Sequence, residues 1–450
     1  MYFLANTNKN LSRYCYAPAG NLYFRMDGQV SFCSSGNSDV IGLYPLQSLN
    51  DIVHGEKRQA LRQKFRAGEV LKGCEKCQRC LQIENHQAAT YRIYNKYTNR
   101  INRIVTLEFE LSNRCNLECV MCSGYFSESF NHDLASKPAA LYGNSFVQEL
   151  KPLIPGIKRL NFKGGEPFLI DLYYDIWEMV AEVNPSIVNS VTTNGTILNK
   201  RVKAALEKGI FNINVSIDSL NKEGFEAIRR HASYDVFRRN LDYFIEYCRK
   251  RKTSFTACTC LMTNNYRDIP RIFEFANQNG FSVYMNYVEE PHHLSLKYLP
   301  KNEILNIVGF LYRQMPDFRF YRDKQNRDTY NGLLQQLTLW IEEPAAANKY
   351  EPVKAQAIDG HENFDALNFF NLMFSNCFHI EDPIEKASVY NLQMEKFTLA
   401  YKKAKEICAE ESIIAGIKDI NPSDAMHLFN TPESELTQRF IQFTTRQCEG

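Results

Sequence analysis

The sequence predicts an α/β fold with a parallel sheet, preceded by a cysteine-rich module and followed by a mostly helical region. Three observations lead to this expectation. From about residue 104, strand-like runs alternate with helical ones, the pattern of a parallel sheet. Eight of the 14 cysteines lie before residue 123, at positions 15, 33, 74, 77, 80, 115, 119 and 122. After Val288, Pro291, Pro300 and Pro316 break the chain into short segments before a mostly helical tail.

At the N-terminus, the runs Asn21 to Met26 and Gln29 to Cys33 are joined by Asp27-Gly28, a hairpin signal. Ser48 to Ala67 reads as helical, and a tight CxxCxxC follows at Cys74, Cys77 and Cys80. Residues 83–103 form a polar connector rich in Tyr and Asn. The candidate strands of the sheet are Val105 to Leu111, Arg159 to Lys163, Ser190 to Thr193, Phe211 to Ile217, Ser254 to Met262 and Ser282 to Val288. Helical stretches lie between them at Asn144 to Leu153, Tyr173 to Val183, Lys200 to Lys208, Tyr234 to Lys250 and Asp268 to Gln278. Glu395 to Glu410 has helical spacing with a charged face. The expected division is a module at 1–82, a connector at 83–103, the α/β domain at 104–290 and a mostly helical region of unknown role at 291–450.

A chain of 450 residues is long enough for two or three domains with real cores. Lys and Arg number 53 against 51 Asp and Glu, so no pervasive basic field points to nucleic acid or an anionic membrane. No apolar run approaches the roughly 20 residues that span a bilayer, and MYFLANTNKN has no signal-peptide character. A cytoplasmic location is expected, where thiols stay reduced and clustered cysteines read as metal ligands rather than disulfides. The scattered Cys248, Cys258, Cys260, Cys377, Cys408 and Cys448 read as buried small hydrophobes.

The chemistry concentrates at Cys115, Cys119 and Cys122, a CxxxCxxC run entered from a strand. A four-iron cluster takes one thiolate per iron, so three cysteines leave one iron open to another ligand. One βα unit later comes Gly164-Gly165-Glu166-Pro167. Together the two motifs resemble those of the radical S-adenosylmethionine (SAM) superfamily. The resemblance implies a partial (β/α)6 TIM barrel, with the cysteines at the C-terminal rim where barrel enzymes place their sites. It also implies that the open iron of a [4Fe–4S] cluster chelates SAM, which is split to a 5′-deoxyadenosyl radical.

The same resemblance suggests the SAM contacts. Met121 is expected beside the adenine. Gly164, Gly165, Glu166 and Pro167 are expected at the methionine amino group, with the two glycines allowing close approach of the backbone to the ligand. Thr193 and Asn194, from VTTNG, fall on the ribose side. Ser216 and Asp218, from VSIDS, end the fourth strand, with Ser216 near the carboxylate. Arg229 is expected to pair with that carboxylate, with Arg230 as its rival. Met262, Thr263 and Asn264 are weaker candidates for the adenine pocket.

Cys15, Gly28, Cys33 and the pair Cys74-x-x-Cys77 resemble the opening and closing parts of SPASM and twitch auxiliary-cluster domains. Four thiolates would complete a second [4Fe–4S] cluster with no open iron. The order is rearranged, since in well-known members this module follows the barrel. Whether Cys77 or Cys80 closes the set stays open, and a zinc ribbon is the alternative use of the same cysteines.

Abstraction of hydrogen from an unactivated C–H bond, with an auxiliary cluster to accept an electron, is the expected oxidoreductase chemistry. A peptide or protein substrate is favoured over a small-molecule metabolite oxidised by a dehydrogenase. A non-enzymatic iron–sulfur sensor is the reading from another class, although a sensor needs no SAM contacts. The expected partners are the substrate and an electron donor such as flavodoxin or ferredoxin, with neither nucleic acid nor membrane. His292 and His293, beside Glu289 and Glu290, follow the last strand and read as loop features.

Overall fold

The structure, a computed structural model, describes residues 10–34, 38–82, 86, 89–96, 103–122, 141–320 and 323–342. Residues 1–349 group as one unit and 350–450 as another. The expected helix Glu395 to Glu410 and the cysteines 377, 408 and 448 lie outside the described residues.

The chain enters through the short helix α1 (Ala17–Gly20) and the strands β1 (Asn21–Arg25), β2 (Gln29–Ser31) and β3 (Val40–Leu43). Gly28 makes the β1–β2 turn possible. Its φ is 81°, and a Cβ there would meet the Tyr44 carbonyl at 2.2 Å. The expected single helix over 48–67 is two, α2 (Leu49–His54) and α3 (Glu56–Ala67), broken at the extended Gly55. Cys77 and Cys80 of the CxxCxxC lie on helix α4 (Glu75–Gln82), with Cys74 just before it, a helix that the cysteine spacing alone did not reveal.

The alternating region follows as expected, with ends shifted by up to three residues, the largest shift being at the helix that starts at Asn144, which ends at Leu150 rather than Leu153. β4 (Thr106–Glu110) leads to the two-residue β5 (Glu118–Cys119), then α5 (Asn144–Leu150), β6 (Arg159–Phe162), α6 (Asp171–Val183), β7 (Val188–Thr193), α7 (Lys200–Lys208) and β8 (Ile210–Ser216). Next come α8 (Lys222–Ile228), β9 (Arg229–Arg230), α9 (Tyr234–Arg251), β10 (Phe255–Leu261), α10 (Ile269–Asn279) and β11 (Ser282–Tyr287). The helices α11 (Lys301–Arg313) and α12 (Lys324–Glu342) complete the described part. Helix α9 illustrates the local logic: Ser233 caps its first turn, Phe237, Leu241, Phe244, Ile245 and Cys248 are buried on one stripe, and Arg249, Lys250 and Arg251 fill the last turn.

Six parallel strands run in chain order β4-β6-β7-β8-β10-β11, a partial (β/α)6 barrel. At the β4 edge the sheet continues into β1, which pairs parallel from Asn21 opposite Thr106 to Arg25 opposite Glu110, and then into antiparallel β2 and β3. The N-terminal module is therefore an extension of the barrel sheet, and a module that pairs with the first barrel strand can precede it in the chain. The shared core confirms the continuity. Phe24 of β1 stacks on Phe109 of β4 with centroids 5.6 Å apart, and Phe146 of α5 meets Phe24 edge-on at 5.2 Å. Each buried aromatic of this kind contributes about 1.5–3 kcal/mol.

Side chains alternate across the strands. On β8, Phe211, Ile213 and Val215 are buried towards the helices, and the half-buried Asn212, Asn214 and Ser216 face the barrel interior. The interior of this barrel is polar, and the module contributes to it. The expected connector is not simply polar, because Tyr91 and Tyr94 are buried, and the Tyr94 hydroxyl donates to Glu108.

Candidate active site

The cysteine loop leaves the C-terminal end of β4 and is pinned at several backbone points. Cys119 and Glu118 pair with Arg229 and Arg230 as a two-stranded ladder, and the Val120 N–H donates to the Ile228 carbonyl at 2.9 Å. From the other side, the Gly165 N–H donates to Ser112 O at 3.0 Å and the Glu166 N–H to Arg114 O at 2.8 Å. The two glycines do allow a close approach, but to this loop. A Cβ on Gly164 would lie 2.4 Å from Ser112 O, and one on Gly165 would lie 2.2 Å from Arg114 O.

Several residues assigned to SAM by resemblance are occupied by the chain itself. The Glu166 carboxylate is fully buried and accepts from the Thr193 hydroxyl at 2.8 Å, the Asn194 N–H at 2.7 Å and the Phe168 N–H at 3.1 Å. Burial pushes its pKa up to about 7 against those three donors. Thr193 is correspondingly buried rather than open to a ribose, and Pro167 sits buried in the first turn after Glu166. Asp218 is fully buried and takes Arg229 through Nε at 2.8 Å and Nη2 at 2.5 Å, so the Arg229 fork is already engaged by a carboxylate of the chain. Arg229 Nη1 points instead to Cys119 Sγ at 3.5 Å. Arg230 is exposed.

Asn194 is placed on the cluster loop. Its Nδ2 donates to Asn116 Oδ1 at 3.0 Å and lies 3.9 Å from Cys115 Sγ. Burial and the charges of Glu166 and Cys119 push the Cys115 thiol up to about 11, opposed by the Leu117 N–H and Arg229. Met121 packs half-buried with Val120 and Cys260 against Ile228, Met262, Val288 and Leu294, an apolar patch beside the loop. Ser216 remains half-buried at the interior end of β8. Thr263 instead ties two loops, donating to His293 O at 3.0 Å, and Asn264 is exposed. Residues that motif reasoning missed include Asn116, Thr196 and Asn265. Asn265 donates to Asp218 O at 3.0 Å and Cys260 O at 2.8 Å, and accepts from the Met262 N–H at 2.8 Å. No spacing signal marks them.

Below the loop lies a charged interior wall. Glu108 of β4 accepts from Asn21 at 2.9 Å, Ser34 at 3.2 Å, Asn161 at 3.1 Å, Lys163 at 3.0 Å and the Tyr94 hydroxyl. Those partners hold its carboxyl below the usual range in spite of complete burial. Two residues on, Glu110 accepts from the Tyr23 hydroxyl, and burial raises its pKa, with Lys163 opposing. Cys258 and Cys260 face this interior rather than the helix-side core, and burial raises both thiols.

In the module, burial pushes Cys15 up and the neighbouring charges of Cys33, Cys74 and Cys77 push it further; Cys74 responds to Cys33 and Cys77, rising to about 12. Burial, and then the charge of Cys77, pushes Cys80 up to about 11. No disulfide joins the described cysteines. Among the described residues no three Cys, His, Asp or Glu side chains form a group able to hold one metal ion. A cube spreads its thiolates over four irons and asks for no such convergence on a point.

A family model described as the radical SAM superfamily matches residues 109–276, and one described as an iron–sulfur cluster-binding domain, SPASM, matches residues 15–81. The chain carries a radical SAM domain at residues 109–276. It carries a SPASM module ahead of its radical SAM domain, and this pair of domains implies [4Fe–4S] clusters with SAM as co-ligand. Its relatives include a GTP 3′,8-cyclase of Aliarcobacter butzleri, 28% identical over 243 residues, covering 53% of this chain and 72% of that protein. A probable GTP 3′,8-cyclase of Methanocella arvoryzae is 32% identical over 126 residues, or 28% of this chain, which spans 38% of that relative's length. Among solved structures, Streptococcus suis SuiB bound to S-adenosylmethionine is 16% identical, covers 65% of this chain and 68% of its own, and has a TM-score of 0.35. No helix among the described residues is long and apolar enough to cross a membrane.

Proposed function

We propose that this radical SAM protein reductively cleaves SAM and abstracts hydrogen from a C–H bond of a peptide or protein held against the polar interior of the barrel. The observation that carries the reading is the pinned loop of Cys115, Cys119 and Cys122, with Arg229 on one thiol and Asn194 near another, opening over that interior. When bound, a [4Fe–4S] cluster and SAM supply a 5′-deoxyadenosyl radical there.

The chain's own residues then have distinct roles. Cys115, Cys119 and Cys122 bind three irons as thiolates, so loading the site releases thiol protons, and the proton on Cys115 is one that burial holds in place. Glu166, Asp218 and Thr193 position the loop rather than touch SAM. Met121 with Met262 offers the adenine an apolar surface, and Ser216 and the Gly164–Gly165 carbonyls remain for polar contacts, since the Gly165 N–H is taken by Ser112. Arg229 places positive charge at the cluster. Glu110, the carboxyl raised by burial, is the proton acceptor for the oxidised substrate, and the ionised Glu108 holds Lys163; such a pair of carboxyls pushed apart by environment suits acid–base work.

In this reading residues 1–82 hold the auxiliary cluster through Cys15, Cys33, Cys74 and Cys77, with Cys80 outside the set, and residues 104–290 hold SAM. A cluster held by Cys115, Cys119 and Cys122 would take its electron from a donor such as flavodoxin or ferredoxin. A small-molecule substrate is the second reading, favoured by the GTP 3′,8-cyclase relatives. Anaerobic reconstitution with dithionite and SAM tests the first step: 5′-deoxyadenosine is expected, and its absence overturns the proposal. Deuterated peptide and metabolite pools, scored by deuterium appearing in 5′-deoxyadenosine, separate the two substrate classes.

A further inference from the structure

At the N-terminal end of the barrel strands, away from the Cys115 loop, α3 of the module and the segments entering β4 and β6 bound a cleft of about 500 Å³. That volume lies within the range of small-molecule sites. Arg58, Arg62 and Arg66 line it from α3, joined by His54 and by Arg103 near the start of β4, and among the described residues no carboxylate lines it. Residues four apart share a helix face, so the three arginines form a row about 12 Å long.

Two of these cations are buried. Arg62 is 9% exposed, its Nε has no hydrogen-bond partner, and no ion pair among the described residues reaches it. Arg58 is 3% exposed; its Nη1 donates to Val53 O at 2.9 Å and its Nη2 to Ala19 O at 3.1 Å, while its Nε has no partner. Burial first, then the charge of the next arginine along α3, lowers the pKa of both. A desolvated guanidinium facing other cations is destabilising unless an anion completes it.

We infer that this cleft binds a small phosphorylated anion carrying two or more phosphoryl groups, with Arg62 as its central contact. A guanidinium fork matches two phosphoryl oxygens, and a row of cations along one helix matches a linear polyphosphate better than a single carboxylate. The ligand would bridge the module and the barrel, because Ile104 and Gly156 of the barrel side close the cleft opposite α3. The site is remote from the SAM loop and does not depend on the proposed radical reaction.

The test is calorimetric titration of the full-length, cluster-loaded protein with inorganic pyrophosphate and tripolyphosphate, with sulfate and a hexaglutamate peptide as comparators. Saturable one-to-one binding of pyrophosphate is expected, weakened at least about tenfold in Arg62→Gln and less in Arg62→Lys. Pyrophosphate should raise the melting temperature of the wild type but not of Arg62→Gln, and the unliganded variant should melt no lower than the wild type, since it loses a desolvated charge. Absence of saturable heat with the wild type, unchanged affinity in Arg62→Gln, or tighter binding of hexaglutamate would each overturn the inference. Pyrophosphate bound elsewhere, at a catalytic phosphate subsite for instance, would give the second of these results.

Discussion

The two cysteine groups of this protein are built in opposite ways. Cys115, Cys119 and Cys122 come from one loop of eight residues, held by backbone hydrogen bonds and faced by a guanidinium and an amide. Cys15, Cys33, Cys74 and Cys77 come from three separated pieces of chain; at Cys15 and Cys74 burial is the largest influence, and the charges of the other cysteines add to it. The first group is preorganised by the barrel. The second depends on the metal to offset the gathering of buried thiols, so metal binding and module stability should be strongly coupled there.

Cysteine replacement gives the largest effect. Cys119→Ala should abolish 5′-deoxyadenosine formation, and Cys74→Ala should leave SAM cleavage intact while stopping product formation. Iron should fall from about eight to about four per chain in each variant, measured by iron assay of anaerobically reconstituted protein. Zinc in place of the missing iron would show the module to be a ribbon. The preorganised loop should keep its melting temperature on metal removal better than the module, which a chelator titration followed by hydrogen exchange resolves segment by segment.

The next effect concerns the support behind the first group. Asp218 is fully buried and Arg229 nearly so, joined at 2.5 and 2.8 Å. Arg229→Ala strands a buried carboxylate, so a loss of about 3–5 kcal/mol is expected, against much less for the double replacement Arg229→Met with Asp218→Leu. Thermal melting of the apo-protein measures both. If the single and double variants melt alike, Arg229 serves the cluster thiol rather than the carboxylate.

Much of the first group was legible in the sequence, and little of the second group's surroundings. CxxxCxxC and GGEP are contiguous motifs whose spacing survives translation into structure. The six strands were legible as short apolar-rich runs between helical stretches, clearest where the alternation is regular, as in Phe211, Ile213 and Val215 against Asn212, Asn214 and Ser216. Motif matching named Glu166, Thr193 and Asp218, but it did not show that their polar atoms are engaged by the chain; that depends on contacts between residues 27 positions apart or, for Asp218 and Cys260, 42 apart. The parallel pairing of β1 with β4 was illegible for the same reason, since Asn21 and Glu108 meet across 87 positions.

A smaller effect separates the two glutamates on β4 where the module meets the barrel. Glu108 is held below the usual carboxylate range by Lys163, Tyr94 and Asn161, so its stabilisation is present above its unfolded pKa and is lost as pH falls through the lower folded value. Glu110 is raised by burial, so its effect on stability runs the other way, and stability declines as pH rises from the unfolded value through the folded one. Melting curves should show Glu110→Gln flattening the decline on the neutral side and Glu108→Gln removing stability most at neutral pH. Glu110→Gln should also keep SAM cleavage while slowing product formation, a split that a purely structural role would not produce.

The smallest effect tests what holds the module's cluster helix near the last barrel strand. Lys76 of α4 lies 3.5 Å from Glu289, which follows β11, and both side chains are about half exposed at 54% and 51%. Glu289 also lies 3.8 Å from Lys297, so its charge is shared. Exposed pairs of this length contribute at most about 1 kcal/mol and are screened by salt. Glu289→Gln should therefore shift the melting temperature by no more than 0.15 M salt does, and iron content should stay unchanged. The module is held instead by the five-residue β1–β4 ladder and by Glu108, whose partners come from both sides of the junction: Asn21 and Ser34 from the module, Asn161 and Lys163 from the barrel. A large loss in Glu289→Gln would reverse that ranking and make the cluster helix, rather than the shared sheet, the joint between the two cysteine groups.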